Sequence, residues 1–116
     1  MPNIWNTGGI ALVASLLWAT PSYPQSGFRS AGEILPGCRE AVQPATALDF
    51  VGVAKCQGII IGIVYASPGL CMPVGGVSLL QTTQVVVNYA SRVPTRWREP
   101  FTVLADEALT KAWPCK

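Results

Sequence analysis

The chain contains no histidine, and only 12% of its 116 residues are charged. Both shortages exclude whole classes of activity. Without an imidazole, a serine or cysteine nucleophile lacks its usual general base, and Lys55, Lys111 and Lys116 sit in no motif that would replace it. Structural zinc wants cysteines and histidines in close pairs, whereas successive cysteines here are separated by 17, 14 and 43 residues. Glycosidic cleavage needs two acids converging on a cleft. Asp106 and Glu107 are adjacent on one predicted helix and point to different sides. The "VGG" after Pro73 is too short for a phosphate loop and follows no strand. A net charge of +2 is too weak a basic field to imply nucleic acid. No stretch alternates at period two, so no sheet is expected. These absences predict a chain that is not an enzyme and uses no metal and no cofactor.

What is present begins with a leader. Residues 8–19, "GGIALVASLLWA", form an uncharged run, too short for the ~20 residues a bilayer span needs. The proline- and serine-rich "TPSYPQSG" follows it. This reads as a secretory signal peptide over residues 1–22, with Thr20 and Ser22 at the −3 and −1 positions, although "MPNIWNT" carries no lysine or arginine. The other reading of the run is a buried amino-terminal helix. All 8 basic and all 6 acidic residues lie beyond residue 28, so removing the leader leaves the charge unchanged. Residues 23–116 then form one domain, with no membrane span in the mature chain. Its four cysteines suit an oxidising compartment, and the expected location is the periplasm.

The mature chain predicts an all-α, disulfide-stabilised bundle of four to five helices. A first helix carries Ile34, Leu35, Cys38 and Val42 at helical spacing, with Ser30 and Glu33 placed as a capping box. Pro36-Gly37 falls inside it and predicts a kink or a late start. A second helix is expected from Thr46, with Asp49 as its box partner. Its run from Gly58 to Ala66 is apolar on nearly every side, so it is expected to be the central, most buried helix. Ile59-Ile60-Ile61 also fits a buried strand. Gly58 and Gly62, one turn apart, suit either a seam between two copies or close packing within the monomer; the sequence favours the second. A third helix starts at Ser78 with Gln81 as box partner and ends before Pro94, with Arg92 at the negative end of its dipole. The last opens at Pro100. It carries a stripe of Phe101, Leu104, Ala105, Ala108, Leu109 and Ala112, a Glu107–Lys111 pair one turn apart, and a stop at Pro114.

With metal and catalysis set aside, the cysteines read as cross-links. Cys71 in an irregular turn and Cys115 at the chain end predict one bridge, and Cys38 with Cys56 predicts the other. Cys56–Cys71 stays open as a rival. Chain-entropy arithmetic assigns about 4 kcal/mol to the longer loop and about 3 to the shorter, large against a typical total of roughly 5–15 kcal/mol. One surface feature remains. "SRVPTRWREP" gathers Arg92, Arg96, Trp97, Arg98 and Glu99 in a linker. It is either a solvated loop or a contact for a protein partner, because arginine and tryptophan dominate interface hot spots.

From Cys56 onward four motifs stand in order: "CQGIIIGIV", "CMPVGGVSLLQ", "VVVNYASRVP" and "ADEALTKAWPC", with "SAGEILPGC" a weaker fifth. Together they resemble the Rap/Tai immunity proteins of type VI secretion. Ile59 stands where such proteins usually carry an aromatic residue, and Pro36-Gly37 interrupts the first helix. The resemblance implies a small helical periplasmic protein, often dimeric, that binds and blocks a cell-wall amidase delivered by another cell. Contact residues in that family vary with the toxin, so none is carried over. Three hypotheses follow. The first is an inhibitor that occludes an amidase cleft, with a second copy of the chain as a further candidate partner. The second is a general periplasmic stability or chaperone-like protein, for which six acidic residues and no histidine are a poor acid trigger. The third is an enzyme with an unfamiliar site.

Overall fold

The computed structural model describes residues 29–43 and 49–116. The expected leader and Thr46 lie outside them. Among the described residues four helices follow in order: α1 (Ala31–Ala41), α2 (Phe50–Ala66), α3 (Leu79–Ser91) and α4 (Phe101–Ala112), with a 3-10 turn at Pro94–Arg96. No strand occurs among the described residues, and Ile59-Ile60-Ile61 is helical. Isolated bridges pair Ser30 with Pro100 and Leu70 with Pro114. The architecture is an all-α bundle braced by Cys38–Cys56 and Cys71–Cys115, the two expected pairings.

Helix α1 departs from its predicted start in an instructive way. The Ser30 hydroxyl makes no capping bond, and Glu33 pairs instead with Arg29 at 3.3 Å. The first two helical N–H groups, which have no partner inside a helix, donate to distant carbonyls. Ala31 reaches Glu99 and Gly32 reaches Trp97, both at 2.9 Å. Because the 97–99 segment caps α1 in this way, the helix begins at Ala31 and continues through the exposed Pro36 rather than starting late. Gly37 is a contact surface rather than an interruption. A Cβ placed there would lie 2.2 Å from the Gly52 carbonyl oxygen, so α1 and α2 meet backbone to backbone beside their disulfide.

Helix α2 begins at Phe50, not Thr46. Asp49 is its N-cap, accepting from the Gly52 N–H at 2.9 Å, while the Asp49 N–H donates to Glu40 at 3.0 Å. Nor is α2 the most buried helix. Only Cys56 and Ile60 are buried along its length, and Phe50, Val51, Ile61 and Tyr65 are exposed. A helix apolar all round buries only the side its neighbours cover, and α2 lies on the outside of the bundle. A Cβ at Gly58 or Gly62 would meet nothing within 4 Å, so packing inside the monomer does not explain these glycines.

The core is supplied chiefly by the other three helices: Ile34, Leu35 and Cys38 from α1, Val86 and Ala90 from α3, and Phe101, Leu104 and Leu109 from α4. Helix α3 carries the predicted box, with Ser78 and Gln81 bonded reciprocally. Its buried Thr82 and Thr83 each donate to the Leu79 carbonyl at 2.8 Å, which satisfies the hydroxyls locally. Helix α4 buries its stripe as expected, except that Ala112 is exposed.

Candidate functional site

The residues singled out between α3 and α4 are largely committed to the fold. Arg96 spans two carboxylates. It donates to Glu99 at 2.6 and 2.9 Å and to Glu107 at 2.7 and 2.9 Å. Tyr89 adds a bond to Glu107 at 2.8 Å. The hydrogen bonds from Arg96 and then Tyr89 pull the Glu107 carboxyl down to about 2. Glu99 is lowered by the same guanidinium, and Arg96 is held more firmly protonated by both acids, Glu99 foremost. The predicted Glu107–Lys111 pair does not form. Arg96 occupies Glu107, and the Lys111 ammonium instead sits 5.0 Å from the centre of the Tyr89 ring.

Trp97 is half-buried. Its indole N–H donates to the Ala90 carbonyl at 2.7 Å, and Arg39 from α1 lies 5.0 Å over its ring. With its carbonyl capping α1 as well, Trp97 ties three helical elements together. Arg92, the C-cap of α3, and Arg98 remain exposed and form no ion pair among the described residues. Of the five candidates, these two present their charge to solvent.

A second surface was less visible in the sequence. Residues 67–78 leave α2 and return to α3 through a projecting turn. Its base is fixed at one side: Leu70 is buried, Cys71 N–H donates to Trp113 at 3.0 Å, Cys115 N–H donates to Gly69 at 3.3 Å, and the disulfide joins Cys71 to Cys115. At the tip, Gly76 N–H donates to the Pro73 carbonyl at 2.9 Å. Gly75 and Gly76 adopt φ of 91° and 77°, a conformation that glycine alone adopts at little cost. The turn lifts Val74 fully into solvent. Behind it lies an open groove of about 370 Å³, lined by Ile61, Val64, Tyr65, Met72, Val77 and Leu79. The signal for this surface was an apolar residue set between a proline and two glycines, where turn chemistry forbids burial.

Catalytic geometry does not emerge from the acids. Asp106 accepts a 2.5 Å bond from the Ser67 hydroxyl, tying the end of α2 to α4, while Glu107 serves Arg96. Among the described residues no group of three or more cysteines and acids is placed to hold a metal ion. No described helix is long and apolar enough to cross a membrane.

The described residues form a small helical body, cross-braced twice, with an apolar turn exposed between α2 and α3. Across residues 30–115 the chain matches the family model described as Rap1a immunity proteins, and it belongs to that family. This agrees with the Rap/Tai resemblance carried by its motifs. The family is generally non-catalytic, binds protein effectors and is typically periplasmic. No curated protein and no solved structure matches the chain.

Proposed function

We propose that this chain is exported to the periplasm, where it binds a cell-wall amidase effector of type VI secretion and blocks its active-site cleft. Family membership over residues 30–115 carries the reading. The projecting turn supports the mode of action. Filling an enzyme cleft calls for a convex apolar element that is already ordered, because ordering a loop on binding costs affinity. The turn at Val74 is anchored below by its disulfide and closed at its tip by the bond from the Gly76 N–H to the Pro73 carbonyl. Arg92 and Arg98 supply charge that would steer an acidic partner rather than anchor it.

The test is inhibition. A tagged, exported copy is expected to capture a peptidoglycan amidase, and the purified chain should suppress that enzyme's cleavage of cell-wall fragments in stoichiometric amounts. Val74→Asp should weaken inhibition by about tenfold or more, the effect of losing one hot-spot contact, with an unchanged melting curve. Capture of no wall hydrolase, or cleavage that proceeds equally with and without the chain, would dispose of the proposal.

A further inference from the structure

The two disulfides occupy opposite environments. Cys38 and Cys56 are each 0% exposed and belong to the core cluster. Cys71 and Cys115 are both exposed and stand outside it, and Gly69, Pro114 and Lys116 beside them are exposed as well. Neither residues 68–78 nor residues 108–116 contain an acid, and Lys116 follows Cys115 directly. Disulfide exchange begins with a thiolate reaching a sulfur atom, so access decides which bridge reacts. At Cys71–Cys115 an anionic thiolate meets open surface with no carboxylate in either segment. At Cys38–Cys56 it meets two packed helices.

The exposed bridge is also the covalent tie of the projecting turn. Backbone bonds from Cys71 to Trp113 and from Cys115 to Gly69, with buried Leu70 and half-buried Met72, hold the base of the turn to the body. Pro73, Val74, Gly75 and Gly76 are all exposed, so little burial holds the tip. We infer that Cys71–Cys115 is a site of thiol–disulfide exchange with a dithiol reductant, and that its reduction loosens the Val74 turn while the bundle stays folded. One thiolate of the dithiol bonds to one of the two sulfurs. The Cys71–Cys115 bond breaks, and the released sulfur leaves with its electron pair and takes up a proton. The second thiol of the reductant then displaces the first from the mixed disulfide. Two electrons pass to the protein, which gains two thiols, and the dithiol is oxidised to its own disulfide. Cys38–Cys56 ties α1 to α2 throughout. Exchange and loosening stand apart from the effector reading; only their consequence, a loss of inhibition on reduction, rests on it.

Oxidised chain recovered from an exporting bacterial host, incubated with dithiothreitol without denaturant and quenched with iodoacetamide, tests the selectivity. Peptide mapping should find Cys71 and Cys115 labelled about tenfold faster than Cys38 and Cys56, or more, with helical circular dichroism unchanged. Amide exchange of this partly reduced chain should quicken about tenfold across residues 71–78 and hold steady across residues 31–41. The double variant Cys71→Ser, Cys115→Ser should reproduce that pattern with native helical content. Equal labelling of the two pairs, labelling confined to urea concentrations that melt the helices, or a turn whose exchange reduction leaves unchanged would each overturn the inference. A double variant that loses its helices would overturn it as well. An amidase assay separates this inference from the effector reading. Inhibition lost on reduction supports both, and inhibition that persists would sever the bridge from the turn's action. A chain that inhibits no amidase in either state removes the effector reading and leaves the exchange site standing on its labelling.

Discussion

Replacing Gly37 with alanine adds one methyl group at the tightest point of the molecule. The new Cβ would lie 2.2 Å from the Gly52 carbonyl oxygen, 2.4 Å from its carbon and 3.0 Å from its Cα. Relief requires α1 and α2 to part by about 1 Å, since carbon contacts settle near 3.5–4.0 Å. Neither opposing group is a flexible side chain, and Cys38–Cys56 ties the same two helices at the adjacent residue. Overpacking of this kind costs roughly 1–3 kcal/mol, and backbone on both sides places this case at the upper end. Alanine recovers about 1 kcal/mol in helix propensity. The net expectation is a loss of about 2 kcal/mol, a fall in melting temperature of roughly 10 °C for a domain of this size. Gly62→Ala supplies the opposite sign. Nothing lies within 4 Å of its Cβ, so at dilution it should gain up to about 1 kcal/mol. Thermal and urea unfolding of the oxidised protein measure both. Replacing Cys38 and Cys56 together with alanine should also shrink the Gly37→Ala penalty, because the helices can then separate. A Gly37→Ala protein that melts at or above the wild-type temperature would refute the backbone contact and the account of α1 built on it.

Two further outcomes follow from the segment between α3 and α4. Trp97→Ala should cost about 2–3 kcal/mol in urea unfolding, from lost packing and the lost indole bond to the Ala90 carbonyl, which keeps the Val93 N–H, whereas Arg98→Ala should change stability by less than about 0.5 kcal/mol; equal effects would refute a structural role for Trp97. Glu107 has its folded pKa lowered from 4.5 to about 2, so its stabilising contribution is complete above 4.5 and lost as the pH falls through 2. Melting temperatures of the wild type should therefore decline across that window, and Glu107→Gln should show a shallower decline, with Glu99 supplying the remainder; identical slopes would remove Glu107 from the acid response.

Local chemistry made some features readable in advance. Ser78 and Gln81 form their capping box because both partners lie within one turn. The α4 stripe is buried because one helix face repeats every 3.6 residues, whatever it packs against. Both disulfides were inferred from where the cysteines sit relative to helix ends and turns. Other features turned on distant partners. Ser30 and Glu33 have the same spacing as a working box, yet carbonyls from residues 97 and 99 take over the capping. Glu107 and Lys111 are correctly spaced for an ion pair, yet a guanidinium from another element wins the carboxylate. Trp97 looks like a free interface anchor in a polar linker, yet its N–H and ring are claimed by Ala90 and Arg39.

The helix count, the paired sulfurs and the family motifs were properties of the sequence alone, because each depends on residues close in the chain or on identities that folding does not alter. Which apolar face is covered was decided only in three dimensions. The run from Gly58 to Ala66 is apolar around most of its circumference, and periodicity cannot say which side of such a helix its neighbours occupy. Packing of α1 at Gly37 and Gly52 settles that matter, leaving Phe50, Gly58 and Tyr65 outward. The outward face of α2 therefore follows from a backbone contact made possible by two missing side chains, whereas the Val74 turn is placed by the Cys71–Cys115 bridge beyond the other end of that helix.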